Sequence, residues 1–193
     1  MSDEIITASI GLFGVLLGGL LTIGADQWAR HRKKKEEQAY LAILVVSELD
    51  RFVNGCLSVA RDNGTAYGRP AGDDQYYKPT VKAPEFAPLN IDVEWRVLPQ
   101  DLLYAILAIP DKRKQLDSWI FGYTEHDDED GSDYIVERQL GYAELGLDVS
   151  GTARDLRAHA KLPIEDGSNF RNDEFGEIIA KMRALKEKRS GQD

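Results

Sequence analysis

Hydrophobic positions along the chain fall into three regimes. The first is a run from Ile5 to Ala25, 21 residues without a charge and without a polar stripe. At about 1.5 Å of rise per residue, a helix of that length matches a hydrocarbon core of about 30 Å, so the run is expected to span a membrane. A cleaved secretory signal would begin with a basic stretch and end at a small-residue site. Here Asp3 and Glu4 precede the run and the basic cluster follows it. A buried helix of a soluble domain would show a polar face at this length.

The second regime is helical and amphipathic. Residues 26–61 contain no proline and are rich in strong helix formers. Ala39, Ala42, Val46, Leu49, Val53, Cys56 and Ala60 alternate steps of three and four, a heptad seam of the kind that lines coiled coils and bundles. Leu41, Ile43, Leu44 and Val45 widen the apolar surface beyond such a seam, which favours a buried bundle helix over a bare two-stranded stalk. The turn cluster Asp62-Asn63-Gly64 should end it.

The third regime begins irregularly. Pro70, Pro79, Pro84 and Pro88, with Gly64, Gly68 and Gly72, make 62–94 a long connector, either mobile or strapped to the helices by Tyr76, Tyr77, Phe86 and Leu89. Ile91 and Val93 alternate with acids and could form a short extended piece. From Pro99 the helical period returns in Leu102, Ile106, Ile109, Leu116, Ile120 and Tyr123, with a break expected after Ile109 and Pro110 opening a second helix. The acidic stretch 127–133 should turn the chain into a helix from Ser132 to Lys161, carrying Val136, Leu140, Ala143, Leu147 and Leu156 and loosened at Gly146 or Gly151. Pro163 closes it. Asn172 is expected to cap a last helix with Phe175, Ile178, Ile179, Met182 and Leu185 inside and its lysines and arginines outside. No internal repeat is present.

The pattern therefore predicts an all-α protein: a single transmembrane helix continuing into a cytoplasmic helical bundle of about four helices, with a long proline-rich connector. Its parts are an external N-terminus and transmembrane helix (1–25), a basic juxtamembrane helix (26–38) and a cytoplasmic helical domain (39–193) that contains the connector. Charge sets the orientation. Arg30, Arg32, Lys33, Lys34 and Lys35 follow the apolar run, and positive flanks stay cytoplasmic, so the N-terminus is expected outside the inner membrane. Trp28 then sits at headgroup level, with the basic residues against anionic lipid. Gly11, Gly14, Gly18 and Ala25 share one face of the run, and Gly14 and Gly18 form a GxxxG pair that suits close packing of a second copy. A net charge of -9 argues against a nucleic-acid partner. From Ala39 onward 28 acidic residues stand against 19 basic ones, so the cytoplasmic part alone carries that acidity.

Several features together resemble a known kind of protein. The anchor, the basic juxtamembrane helix and the proline-rich connector are followed by Trp95 and Leu98-Pro99 opening a helix. Tyr142-x-x-Leu145-Gly146-Leu147 then precedes a Leu156-Arg157 … Leu162-Pro163 ending. The whole is similar to uncharacterised bacterial single-pass membrane proteins with a cytoplasmic helical domain. The resemblance covers most of the chain and implies architecture; it brings no catalytic residues with it.

Candidate chemistry is sparse. His126-x-Asp128-x-Asp130-Gly131-x₅-Glu137 overlays an EF-hand calcium loop at positions three, five, six and twelve. Position one is a histidine, a poor ligand for a hard cation, and position eight is Asp133 where an apolar residue normally sits, so a solvated acidic turn is the expected state. Asp128, Asp130 and Glu137 are the metal candidates. A single cysteine, Cys56, lies on the heptad seam, and the three histidines have no zinc spacing. No phosphate loop, dinucleotide fingerprint or nucleophile elbow occurs, and no cofactor is implied. The expected function is that of a non-enzymatic membrane protein that self-associates and offers a surface to a cytoplasmic protein partner, as a signalling, scaffold or defence component. The alternative is a divalent-cation or ligand sensor acting through the acidic loop 126–137.

Overall fold

One helix, α1 (Ser2–Arg61), carries the chain from its start to the far end of a helical bundle. The computed structural model describes residues 2–123, 130–163 and 167–190; side chains are described from residue 27 onward, except those of Ala29, Arg30, His31, Asp74 and Ser190. After α1 come a two-stranded hairpin, β1 (Thr65–Ala66) and β2 (Arg69–Pro70), then α2 (Gln100–Leu107), α3 (Ile109–Tyr123), α4 (Ser132–Ala160) and α5 (Ser168–Ser190). The fold is all-α and bundle-like, as the pattern predicts. Among the described residues no helix is long and apolar enough to cross a membrane. Residues 5–25 form the first part of α1, and their side chains lie outside the described residues.

The bundle is organised around α4, which touches α1, α2, α3 and α5. Its first half is buried almost all the way round, so that Glu137, Arg138 and Gln139 are buried with Ile135, Leu140 and Tyr142, whereas Glu144, Leu147, Asp148, Arg154 and Asp155 form an exposed stripe along the second half. A stretch covered on every side has no polar face, which explains why the apolar period is weak there. α1 packs along α4 through the heptad seam: Ala42, Leu49, Val53, Cys56 and Ala60 are all essentially inaccessible. That seam is consumed within the chain, so it is not available as a coiled coil between copies.

Of two glycines in the second half of α4, one serves close approach. The sequence suggests loosening at Gly146 or Gly151, yet α4 is continuous through both. A Cβ on Gly146 would lie 2.5 Å from Phe175 Cζ and 3.0 Å from the Cβ of Cys56, so the missing side chain lets α5 and α1 close on α4. A Cβ on Gly151 would meet nothing within 4 Å. α5 also begins earlier than expected, at Ser168; Asn172 lies inside the helix and its side-chain oxygen accepts from the Ser150 hydroxyl at 2.7 Å instead of capping. Leu147, placed on the inner face by period, is exposed.

The break falls one residue earlier than expected: α2 ends at Leu107 and α3 starts at Ile109, so Pro110 sits in the first turn of α3. The connector 62–94 is not loose. It turns at the Tyr67-Gly68 tip of the hairpin, where both residues have positive φ, and then runs back along α1. Pro84 packs on Gly55, whose absent Cβ would sit 2.6 Å from the proline Cβ. Phe86 meets Phe52 with ring centroids 6.0 Å apart, and Gln38 donates to the carbonyl of Val97 at 2.8 Å. Of the four residues expected to strap it, Phe86 is buried and Leu89 is not.

These contacts give opposite expectations for two neighbouring glycines. Gly146→Ala must displace a buried aromatic ring and should cost about 1–3 kcal/mol. Gly151→Ala adds a helix-favouring methyl in open space and should gain about 0.5–1 kcal/mol. Denaturant unfolding of the two variants checks this, and equal shifts would contradict the packing described.

Candidate functional site

Among the described residues, the carboxylate of Asp62, the first residue past α1, is densely hydrogen-bonded. Its Oδ1 accepts from the Gly64 amide at 3.1 Å and the Thr80 hydroxyl at 2.8 Å. Its Oδ2 accepts from the amides of Thr80 and Val81, both at 2.9 Å, and from Arg138 Nη1 at 3.0 Å. Arg138 in turn donates through Nη2 to the Val81 carbonyl at 2.5 Å. Asp62 and Arg138 are both buried, so charge is placed where only a full set of partners makes it tolerable. Burial by itself would raise the Asp62 carboxyl. The bonds from Val81, Thr80 and Gly64 outweigh it and hold the group below the usual carboxylate range.

A second arginine grips the same strap three residues on. Arg113 of α3 donates to the Pro84 carbonyl at 3.0 Å and pairs with Asp117 at 3.0 Å. Tyr142 of α4 donates its hydroxyl to Asp117 at 2.5 Å, and the Arg138 guanidinium lies 5.8 Å from the Tyr142 ring centroid. The result is a continuous row, Asp62–Arg138–Tyr142–Asp117–Arg113, that ties α1, α3 and α4 to the strap. A cavity of about 340 Å³ lies beside it, lined in part by Ala83, Ile120, Tyr134 and Tyr142. Burial and the bond to Asp117 push the Tyr142 phenol well up, and burial pushes the Cys56 thiol up against a smaller opposing pull from Arg113. Both groups are therefore neutral at physiological pH, and the row acts as a clamp.

Two further polar arrangements hold α5. Asp50 of α1 receives Arg157 of α4 and Arg171 of α5, and Arg171 also donates to Asn54 at 3.0 Å. Farther along, α5 and α4 are joined by three rungs: Arg183 to Glu144 at 2.6 Å, Lys186 to Glu137 at 2.5 Å, and Arg189 to Asp133. The Lys186 ammonium also stands 5.8 Å from the Trp119 ring centroid. Only a small apolar cluster, Val136, Leu140 and Met182, underlies these rungs.

Only part of the acidic loop lies among the described residues. Residues 124–129, including His126 and Asp128, lie outside the described residues. Asp130 Oδ1 accepts from the Ser132 amide at 2.9 Å, and its carbonyl accepts from the Tyr77 amide. Glu137, the expected closing ligand, is in the second turn of α4, buried and paired with Lys186. It points into the α4–α5 contact. Among the described residues no cluster of histidines, cysteines and carboxylates could hold a metal ion.

Of the residues expected at the lipid headgroups, Trp28, Arg32, Lys33, Lys34 and Lys35 lie on α1 ahead of the bundle. Trp28 is 68 % exposed, with the Arg32 guanidinium 5.9 Å from its ring centroid. Arg32, Lys33, Lys34 and Lys35 are exposed, and i,i+4 pairs link Arg32 to Glu36 at 3.1 Å and Lys33 to Glu37 at 3.8 Å. The side chains of Gly11, Gly14, Gly18, Ala25 and Arg30 lie outside the described residues. Sequence reasoning missed Arg138, Tyr142, Asp117 and Arg113 altogether. Asp62 carried a partial signal, since its bond to the Gly64 amide is the local turn that Asp-x-Gly announces. No protein-family model, curated protein or solved structure matches the chain.

Removing Arg138 while keeping Asp62 leaves a buried carboxylate short of its cation, so Arg138→Met should destabilise the protein by about 3–5 kcal/mol, measured by thermal or denaturant unfolding. The pH dependence has a defined sign. The folded Asp62 carboxyl titrates below its unfolded value of about 3.9, so its contribution is complete above about pH 4 and disappears as pH falls through the lower folded value. Asp62→Asn should flatten that acid limb; an unchanged limb would show that the carboxylate is not held as described.

Calcium supplies a separate check. A working site would stabilise the protein by about 2.7 kcal/mol at a hundredfold excess over its Kd. Because Glu137 is committed to Lys186, millimolar calcium should leave the Tm unchanged beyond any effect that magnesium shares. A calcium-specific rise that vanishes in an Asp128→Ala, Asp130→Ala variant would reinstate the loop as a metal site.

Proposed function

We propose that the chain is a non-enzymatic single-pass inner-membrane protein that self-associates and presents its helical bundle to a cytoplasmic protein partner. Its N-terminus lies outside and residues 26–193 lie in the cytoplasm, an architecture shared with the bacterial single-pass membrane proteins it resembles. The observation that carries this reading is the continuity of α1. One helix joins the uncharged run 5–25 to an exposed basic segment and then to the core of the bundle. The order is that of an anchor, a positive cytoplasmic flank and a load.

The segment 26–38 works as a spacer. Residues 32–36 are exposed, and the i,i+4 ion pairs from Arg32 to Glu36 and from Lys33 to Glu37 support the helix there, ahead of Gln38, which bonds the Val97 carbonyl. Thirteen residues at about 1.5 Å each hold the bundle roughly 20 Å from the hydrocarbon edge. The net acidity of residues 39–193 suits that separation, because an anionic leaflet repels the domain while attracting Arg32 to Lys35. The bundle is then displayed to other proteins and kept off the lipid. A cation sensor working through 126–137 has less support, since Glu137 is already neutralised by Lys186.

Fractionation tests the reading. The full chain should stay with membranes through high salt and carbonate washes, and protease added outside spheroplasts should leave the bundle intact. Release of full-length protein by carbonate would contradict the anchor, and digestion from outside would contradict the orientation.

A further inference from the structure

α5 is held to the bundle differently along its two halves. The first half belongs to the main core: Phe175 is fully buried against Gly146, Arg171 is buried and reaches Asp50 and Asn54, and Asn172 accepts from the Ser150 hydroxyl. Beyond Met182 no described side chain of α5 is buried. There the helix rests on the separate cluster of Val136, Leu140 and Met182, with Leu185 partly buried over it. Ion pairs from Arg183 to Glu144, Lys186 to Glu137 and Arg189 to Asp133 tie it to α4, and Arg189 also donates to the Ser132 hydroxyl at 3.2 Å.

We propose that the last two turns of α5, residues 182–189, are an electrostatic latch that opens separately from the rest of the bundle, so that ionic strength sets how far an acidic strip of α4 is uncovered. Three observations carry this. The cations of the three pairs are 63 %, 38 % and 40 % exposed, so salt reaches them and weakens each contact. Closing the latch also buries Glu137: one oxygen meets Lys186, while Oε2 is buried with no hydrogen-bond partner among the described residues. Opening returns that carboxylate to water, which offsets part of what the closed contacts gain. Finally, Gly176 lies just past Phe175, between the two halves. It is exposed and a Cβ there would meet nothing within 4 Å, so no contact requires a glycine, and its effect is to weaken the helix where the anchored half ends.

Opening uncovers Asp133, Glu137 and Glu144, which the steps of four and seven place on one line of α4, with Val136 and Leu140 beside them. The main core keeps its own cover, because Phe175 and Arg171 stay in place on the anchored half. The latch does not depend on how the chain is anchored.

Maleimide labelling of the full chain in detergent tests this, with the buried native Cys56 as the unreactive background. Val136→Cys lies under the latch, Val149→Cys lies on α4 in the main core, and the exposed Tyr104→Cys corrects for any effect of salt on the reagent. Raising NaCl from about 0.05 M to about 0.5 M should speed labelling of Val136→Cys about tenfold, while Val149→Cys stays protected at both. An added Arg183→Gln, Lys186→Met, Arg189→Gln change should bring Val136→Cys to the fast rate at low salt and remove the salt effect. Labelling of Val136→Cys that does not respond to salt overturns the proposal. So does a parallel rise at Val149→Cys, which would show α5 and the bundle opening as one unit. Slow labelling after the triple change also overturns it, since the apolar cluster alone would then hold the helix end.

Discussion

Asp62 holds five hydrogen bonds at the point where the longest helix of the molecule stops, and the rest of the architecture follows from that placement. α1 delivers the chain to the end of the bundle farthest from its N-terminus, and α2 must begin back near Gln38. The connector has to cover that distance with only a short hairpin and isolated 3-10 turns. A backbone laid across a bundle brings amides and carbonyls that need partners if they are to leave water. Asp62 takes two of those amides, Arg138 takes a carbonyl, and Arg113 takes another three residues later. With its polar groups satisfied, the strap can bury Phe86 and lay Pro84 on Gly55, and it becomes a layer of the core. Each arginine is matched by an aspartate, so the clamp adds no net charge to the interior.

The division of α1 into faces decides what the bundle leaves open. Its inner face is fully spent on α4, and its flank takes the strap. What remains exposed runs through Tyr40, Ile43 and Ser47. Bundle packing therefore does more than stabilise the domain: it selects which side of the long helix stays open to solvent.

Legibility in the sequence followed the range of the interactions. Local chemistry was readable: Asp62-Asn63-Gly64 ends α1, Pro110 marks the first turn of α3, and Ser132 and Pro163 bracket α4. The heptad seam was readable as a buried face, but period alone does not say whether the partner is another helix of the same chain, and here it is α4. Gly146 looked like a weak point because glycine is a poor helix former; on the buried side of α4 it is where Phe175 fits. Glu137 matched a calcium pattern because motif spacing ignores which residues have entered a helix, and α4 had already taken it inside. The clamp was invisible for a simpler reason. Asp62 and Arg138 are separated by 76 residues, and nothing local distinguishes either from an ordinary surface charge.

Amide hydrogen exchange across the strap bears most directly on this account. If Asp62 and Arg138 make the connector part of the core, the Thr80 and Val81 amides should exchange as slowly as the amides of α4 around Tyr142, and should lose that protection in Asp62→Asn while α4 keeps most of its own. Rapid exchange at Thr80 and Val81 in the unmodified protein would contradict it, showing the connector to be a surface loop and the clamp to be dispensable to the fold.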